Sequence, residues 1–562
     1  MAPEPPTAQP AVRLTGGRCY HAGVEAFTPD ERRALAPYFT ELDGPVFALV
    51  NLPEVVKGAL FARYSRSAKS LRRLFLDEFL EQAEGPAAAG SIGTTRADRL
   101  YERVFGEYGD DSVAQLGGVH LACEGASNIL TKVLEWGRLM AYLEQSTRYV
   151  PYTDRPDGRW KYHVPAEIEG HPLRERYVDV LDRAFETYAR WIDPMREYWT
   201  RRFPKPPADT DAAYRMTIRA RALDSLRGLL PAATRSNVGI FGTGQGYEAL
   251  LLRMRAHPLR EVRDYADLML AELRKVIPAF LKRLERPERG GVWSRYLAET
   301  AQATAAVAAR VLEGVEPEPR PEVTLTDWDP DGEVKVVAAA LYAASRLPDD
   351  QLLAVARKLG PEERRQVLEA YVGRRENRRH KPGRAFERTV YRFDVLGDYG
   401  AFRDLQRHRL LTLEWQPLST RHGYVTPDEL AEAGVLPEWT RAMEESAALH
   451  DALAARTPTV APYAVAMAYR VRFYMELNAR EAMHMIELRT APQGHPAYRR
   501  ICQALHHLIA EQAGHRALAA AMRHADHSGA EGGRLEAERA AERRRGKGSE
   551  AAGFPPPGPT VR

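Results

Sequence analysis

Apolar residues recur at three- and four-residue intervals through much of this chain from about Glu31 onward. Leu71, Leu74, Phe75, Phe79 and Leu80 form one such stripe, and Leu223, Leu226, Leu229 and Leu230 form another. That spacing puts them on one face of a helix and predicts a helix-rich fold. Period-two alternation is scarcer. Residues 117–123 and 389–395 are the better strand candidates, the second setting Val390, Arg392 and Asp394 on one face and Thr389, Tyr391, Phe393 and Val395 on the other. The expected class is α+β, helix-rich, with one short antiparallel sheet in each folded unit.

At 562 residues the chain exceeds what one hydrophobic core holds, so two domains are expected. Its composition, 44% hydrophobic and 28% charged, is that of a globular protein. The formal net charge of +4 is a balanced total without a clustered basic excess, and no nucleic-acid partner is expected. Cys19, Cys123 and Cys502 stand far apart in no ligand spacing, so neither a metal site nor a disulfide framework is expected. A reducing, cytoplasmic compartment fits. No basic-then-apolar leader opens the chain and no apolar run reaches membrane-spanning length, which predicts no membrane partner.

Residues 1–18 are Pro- and Ala-rich and read as unstructured. Residues 286–330 read as a linker, with an Ala-rich helix followed by the semi-rigid E-P-E-P-R-P-E. Residues 513–562 read as a disordered or helical tail. The folded units are then 19–285 and 331–512.

Candidate chemistry concentrates in residues 406–424, where Arg407, His408 and Arg409 leave a half-apolar segment and Ser419-Thr420-Arg421 follows. Guanidinium forks bind phosphate bidentately, and a hydroxyl with backbone N–H groups at a chain reversal completes an anion cradle. A partial copy lies upstream at an offset of about 270 to 280 residues: L-E-W-G-R at 134–138 and E-Q-S-T-R-Y at 144–149 fall on this stretch. Later, 247–255 falls near 481–489. Collinear matches of this kind predict two copies of one fold packed as a pseudo-symmetric pair.

These residues resemble the flavin-dependent thymidylate synthases, whose signature is R-H-R, two residues, Ser, one residue, Asn-Glu, one residue, Ser, one residue, Arg-Tyr. The second repeat keeps Arg407, His408 and Arg409, has Thr412 at the first Ser position, and reaches S-T-R two residues late. The first repeat has Trp136 and Gly137 in place of the opening Arg-His and keeps Glu144, Ser146, Arg148 and Tyr149 in the family spacing. Glu387 stands where the family has the acid of a G-H-x-[ST]-x-x-E loop, and Ser112 survives in the first repeat's version of it. The family's N-A-R and the Arg beyond it are kept as Asn478, Ala479, Arg480 and Arg489, while Arg255 stands near the end of the first-repeat equivalent. Arg227 in L-R-G-L-L-P is similar to the family's nucleotide arginine, where the second repeat has Pro462.

The resemblance implies two thymidylate-synthase-complementing-like repeats, with flavin and nucleotide groups divided between them. It implies methylation of dUMP to dTMP with methylene-tetrahydrofolate as carbon donor, FAD as bound cofactor and NADPH as reductant. Glu387, Arg407, His408, Arg409, Asn478, Arg480 and His484 are then the flavin side, and Glu144, Ser146, Arg148, Arg227 and Arg255 the dUMP side. Arg489 is then the catalytic group stabilising an ionised uracil base. A homodimer would supply the family's four repeats. The alternative is a catalytically inactive paralogue retaining flavin or nucleotide binding in a regulatory or scaffold role. Each residue also has a plain reading: R-H-R as a basic helix end, Ser146 to Arg148 as a cap with an ion pair, Arg489 as a helix-terminal arginine, His484 as a core histidine. The glycines of 242–246 read as a simple turn, and the adjacent His506 and His507 point to different sides of a helix.

Overall fold

The computed structural model describes residues 26–44, 46–64, 67, 69–80, 115–207 and 210–529. The expected unstructured start at 1–18, Ser112 and the tail beyond 529 lie outside these residues. The chain divides into two compact units, one made of residues up to 119 with 243–248 and 272–283, the other of 120–242, 249–271 and the remainder. Among the described residues no helix is long and apolar enough to cross a membrane.

In the first unit, helix Pro29–Leu35 starts at a capping box in which Thr28 Oγ1 accepts from the Glu31 N–H and Glu31 returns the contact to the Thr28 N–H. The stripe expected from sequence forms as helix Leu71–Phe75, capped by Ser70, and a wider turn Leu76–Leu80. Leu71, Leu74, Phe75 and Phe79 are buried, with Phe75 edge-on to Phe39 at 5.4 Å.

Nearly all of both sheets lies in the second unit, and the fold is helix-rich α+β with two small antiparallel sheets. Strands β1 (Gly118–Ser127), β2 (Met140–Glu144) and β3 (Arg235–Thr243) lie in the order β1-β3-β2; β4 (Val323–Trp328), β5 (Val390–Asp398), β6 (Leu411–Trp415) and β7 (Arg470–Asn478) lie in the order β4-β5-β7-β6. Both strand candidates form, and along β5 the Tyr391, Phe393 and Val395 face is the buried one. The 286–330 segment contains helix Val292–Val311 and, at its end, β4, which pairs with β5 and extends the second sheet.

The sheets fix how the repeats correspond. Met140 pairs with Gly242 in the first sheet where Leu411 pairs with Leu477 in the second. The offset is therefore 271 residues across β1 and β2 (Met140 to Leu411) but 235 across β3 (Gly242 to Leu477). A single offset near 270 to 280 holds only for the first half of each repeat. The first repeat is longer between β2 and β3, where helices Leu173–Arg202 and Asp211–Leu226 pack together. In both repeats a side-chain cap starts the helix after the first strand: Ser127 accepts from the Leu130 N–H and Asp398 from the Ala401 N–H.

The repeats meet about a local two-fold. Pro231 bridges Ala466, the Ala232 N–H donates to the Val465 carbonyl at 2.8 Å, and the Met467 N–H returns to the Leu230 carbonyl at 2.9 Å. Around this contact Leu229, Leu230, Ala464 and Val465 are fully or almost fully buried. Gly228 is needed because the Trp439 ring and Ala468 leave no room for a Cβ. His495 caps helix Pro496–Glu511, its Nδ1 accepting from the Ala497 N–H at 3.2 Å. Burial and the nearby Arg227 push its pKa down to about 3, so the ring is neutral.

Two expectations follow. Gly228→Ala should lower stability by about 1–3 kcal/mol through overpacking against Trp439, read from the urea midpoint; an unchanged midpoint would show that the repeats slide apart without cost. For His495, the unfolded ring takes up a proton below pH about 6.5 while the folded one refuses it until about pH 3. The neutral ring's contribution is complete above pH about 6.5 and falls by roughly 1.4 kcal/mol per unit as pH drops. His495→Asn keeps a capping side chain and should flatten the fall in stability between pH 7 and pH 5; a slope equal to wild type counts against this.

Candidate functional site

Strand–helix–strand units β1 to β2 and β5 to β6 present their helix ends to each other. Gln406 Nε2 donates to the Lys132 carbonyl at 2.8 Å, and Tyr399 Oη donates to the Asn128 carbonyl at 2.9 Å. In the other direction Trp136 Nε1 donates to the Leu413 carbonyl at 3.4 Å and Arg138 donates to Thr412 Oγ1 at 3.1 Å. The W-G-R of one repeat thus lies on β6 of the other, while the R-H-R reaches back to the end of β2.

At that end sits Glu144. Its buried carboxylate accepts from Arg403 Nη2 at 2.7 Å and from Arg407 Nη2, with Lys132 Nζ at 3.4 Å. Burial raises its pKa, but Arg403, Lys132 and Arg407 outweigh that and hold it well below the ordinary carboxylate value. Lys132 also holds Glu135, which burial pushes up. Glu144, assigned from sequence to the dUMP side, is therefore enclosed among protein cations. It aims Arg403 and Arg407 from behind.

Next to this knot three arginines from distant segments converge. Arg148 makes a two-pronged pair with Asp224, both contacts at 2.8 Å, and donates to Tyr498 Oη at 2.8 Å. Arg227 lies 3.6 Å from Asp404 and Arg489 lies 3.7 Å from it. The guanidinium carbons of Arg148 and Arg489 stand 5.7 and 5.5 Å from the Tyr498 ring centre. Burial would raise the Asp404 pKa, yet Arg489, Arg227, Arg407 and Arg148 together bring it down to about 2. Arg227 Nη2 is buried without a hydrogen-bond partner among the described residues. A buried donor of that kind suits an acceptor from a ligand. Ser146 Oγ accepts from the Arg148 N–H at 3.2 Å and shapes the turn that delivers that arginine.

The other face of the R-H-R opens on a cavity of about 390 Å³ lined by Arg138, Glu387, Arg409, Asn478, Arg480 and Glu481, among others. Asn478 ends β7 and caps helix Ala479–Arg489, its Oδ1 accepting from the Glu481 N–H at 2.9 Å and its amide N–H groups left for other contacts. Arg480 Nε donates to the Pro382 carbonyl at 3.0 Å, with Glu387 3.6 Å away.

His408 joins cavity and cluster. Its Nε2 accepts from Arg489 Nε at 3.0 Å, which puts the proton on Nδ1 facing Glu481 at 3.0 Å. Burial, then Arg489 and Lys381, depress its pKa well below the usual histidine value, so the ring is a neutral relay. His484 stands edge-on at 5.3 Å and burial lowers it to about 4. His408, Glu481 and His484 bring ligand atoms within 4.8 Å of one another. The Arg489 N–H occupies one lone pair of His408, and the proton this leaves on Nδ1 occupies the other, so the arrangement is a hydrogen-bonded chain.

The structure thus gathers Arg148, Arg227 and Arg489 at one point, and Glu387, Arg409, Asn478 and Arg480 around one cavity, with His408 between. Arg407, assigned to the flavin side, turns instead to Glu144. Arg255 is not brought in: its guanidinium pairs with Asp267 at 3.1 Å, and the 235-residue offset sets Met254, not Arg255, in the place of Arg489. The same register puts Pro462 in the place of Arg227. The glycines of 242–246 form no simple turn but the junction of β3 with helix Gly244–Arg255. His506 contacts His527 at 2.9 Å, apart from the site.

Sequence reading missed Asp404, Asp224, Arg403, Lys132 and Tyr498. Asp224 and Asp404 lie in the last turns of helices Asp211–Leu226 and Tyr399–Leu405, each three residues before an arginine assigned from sequence, and that spacing is the signal that could have found them. Tyr498 had no local signal, since only tertiary packing brings it to Arg148.

The family model described as "Thymidylate synthase complementing protein" matches residues 59–279 and 324–513. A UPF0159 protein of Chlamydia muridarum is 39% identical over 482 residues, which are 84% of this chain and 91% of its own. UPF0159 protein Ta1429 of Thermoplasma acidophilum is 30% identical over 512 residues, 86% of this chain and 97% of its own. A flavin-dependent thymidylate synthase of Clostridium tetani is 24% identical over 178 residues, 31% of this chain and 66% of its own. With the two matched segments falling on the two sheets and the β2–β3 pairing repeated by β6–β7, the chain belongs to the thymidylate synthase complementing protein family, the flavin-dependent thymidylate synthases, as a tandem duplication.

Proposed function

We propose that this chain methylates dUMP to dTMP using methylene-tetrahydrofolate, FAD and NADPH, at a site assembled once from the two repeats. The observation that carries this reading is the convergence of Arg148, Arg227 and Arg489 beside the cavity of Arg409, Asn478 and Arg480, bridged by His408. Arg148 and Arg227 bind the nucleotide phosphate, the unpartnered Arg227 Nη2 supplying a donor. Arg489, held by His408 and Asp404, faces the base and favours its anionic form. Asp224 and Asp404 keep the guanidinium planes aimed before the ligand arrives.

The cavity residues fit a flavin: the four guanidinium groups of Arg138, Arg384, Arg409 and Arg480, the Asn478 amide and a volume in the range of small-molecule sites, about 300–1,000 Å³. Arg409 and Arg480 hold its anionic parts, and the Asn478 amide and His484 its polar ring edge. Bound there, reduced flavin supplies the hydride while the folate supplies the carbon. The buried cysteines, Cys123 and Cys502, have thiols pushed up to about 12 by burial, which suits a reaction that needs no thiolate.

A second reading, an inactive relative keeping flavin or nucleotide binding for a regulatory or scaffold role, is favoured by one feature. Arg148 already spends four of its five N–H donors on Asp224, Tyr498 and the Gln493 carbonyl, which leaves a single Nη1 N–H for a phosphate. Growth of a thymidine-requiring strain carrying this chain decides between the two.

Two measurements test the site. Arg480→Ala and Arg409→Ala should each reduce flavin absorbance per mole of purified protein at least tenfold while thermal stability stays within a few degrees of wild type; full flavin content in both variants rules out the cavity. Saturating dUMP should stabilise the wild type by about 2.7 kcal/mol at 100 times its Kd. Arg489→Lys, which keeps the charge and loses the fork, should cut that gain by more than half with flavin still bound. An equal gain in the variant means that the nucleotide sits elsewhere.

A further inference from the structure

Helix Val292–Val311 has no buried residue over its 20 positions. It is anchored at its start, where Ser294 Oγ donates to the Leu252 carbonyl at 3.3 Å and Ser294, Leu297 and Ala298 are half-buried. From Glu299 onward every residue except the half-buried Ala308 is exposed. Its sequence is nevertheless not that of a solvated helix. At 3.6 residues per turn Trp293, Tyr296, Thr300, Thr304, Val307 and Val311 fall in one stripe. Trp293 is 54% exposed, Tyr296 60% and Val311 64%. An apolar stripe of this length facing water marks a contact surface.

The charges select its occupant. Glu299 and Arg310 flank the stripe on the same side, and neither has an ion pair among the described residues. In an antiparallel pair related by a two-fold axis beside Thr304, each Glu299 meets the partner's Arg310. The same register sets Tyr296 beside the partner's Val311 and Thr300 beside the partner's Val307. In a parallel pair, each charge would instead face the uncharged flank of Ala301 and Ala305. The small side chains at the centre, Thr300, Ala303 and Thr304, allow the axes to approach within the usual helix spacing of about 8–10 Å. The pattern is self-complementary, as an isologous contact requires.

We propose that this helix is the surface through which two copies of the chain pair, antiparallel, about an axis beside Thr304. The helix is about 30 Å long, so the contact falls at the small end of specific interfaces and the dimer dissociates on dilution. The proposal is independent of the chemistry assigned to the site.

Sedimentation velocity of the full chain over a dilution series tests it, the monomer being 63.1 kDa. Wild type should move from twice that mass to the monomer on dilution. Thr304→Arg, at an exposed position, places like charges at the axis and should weaken the dimer at least tenfold with an unchanged melting curve. Glu299→Arg should weaken it in the same direction, and Glu299→Arg with Arg310→Glu should return the dissociation constant to within about threefold of wild type. Thr304→Cys should cross-link on oxidation, and Gln302→Cys, on the opposite face, should not. Wild type that stays monomeric, whether or not it binds phospholipid vesicles, overturns the proposal, as does a dimer indifferent to Thr304→Arg. Failure of the double exchange to restore pairing overturns the antiparallel register.

Discussion

The buried carboxylate of Glu144 is the point on which the two halves of the molecule depend. It belongs to the first repeat, and two of the three cations that neutralise it, Arg403 and Arg407, belong to the second. A carboxylate taken out of water is costly unless charge and hydrogen bonds replace its solvent, and here the replacement is supplied across the repeat boundary. The repeats therefore cannot separate without exposing an anion on one side and leaving two guanidinium groups uncompensated on the other. Such a knot contributes less to net stability than to register, because an apolar contact slides and a two-pronged charge contact does not.

The same constraint explains the asymmetry of the duplication. Two equal repeats packed about a two-fold would present two equal junctions. Here one junction carries Arg407 against Glu144, with His408 turned to Arg489 and Glu481, and the other carries Trp136 and Arg138 against Trp415 and Thr412. One is polar and opens on the arginine cluster; the other holds the Trp136 and Trp415 rings, 5.6 Å apart, and its Arg138 and Thr412 line the cavity together with Arg409. Replacement of the opening Arg-His by Trp136 and Gly137 in the first repeat and of the Arg227 equivalent by Pro462 in the second are then two sides of one arrangement. Each repeat keeps what faces the polar junction.

Within that junction the carboxylates organise the cations. Asp404 sits among Arg148, Arg227, Arg407 and Arg489, and those charges hold it ionised down to pH about 2. Asp224 orients Arg148, and neutral His408 orients Arg489 while its other nitrogen contacts Glu481. Guanidinium groups fixed in this way meet an anionic ligand without first losing side-chain freedom, which is the main cost of gathering flexible arginines.

By itself the sequence determined what local periodicity and capping chemistry determine. The leucine stripes, the alternation along β5 and the Ala-rich helix before the Pro-rich segment are all written within a few residues of where they act, and the resemblance of R-H-R, S-T-R and N-A-R to a family pattern needs no three-dimensional information. The tertiary structure decided the rest. One offset could not reveal that the repeats correspond at 271 residues in β1 and β2 but at 235 in β3, because the extra length lies in helices between the strands. Only the strand register separates Arg489, whose counterpart is Met254, from the false match at Arg255. Nor does any local signal tell a solvated Glu144 from a buried one, or bring Tyr498 to Arg148. Burial and charge pairing are properties of the packed chain, set by which faces of sequence-distant segments exclude water together.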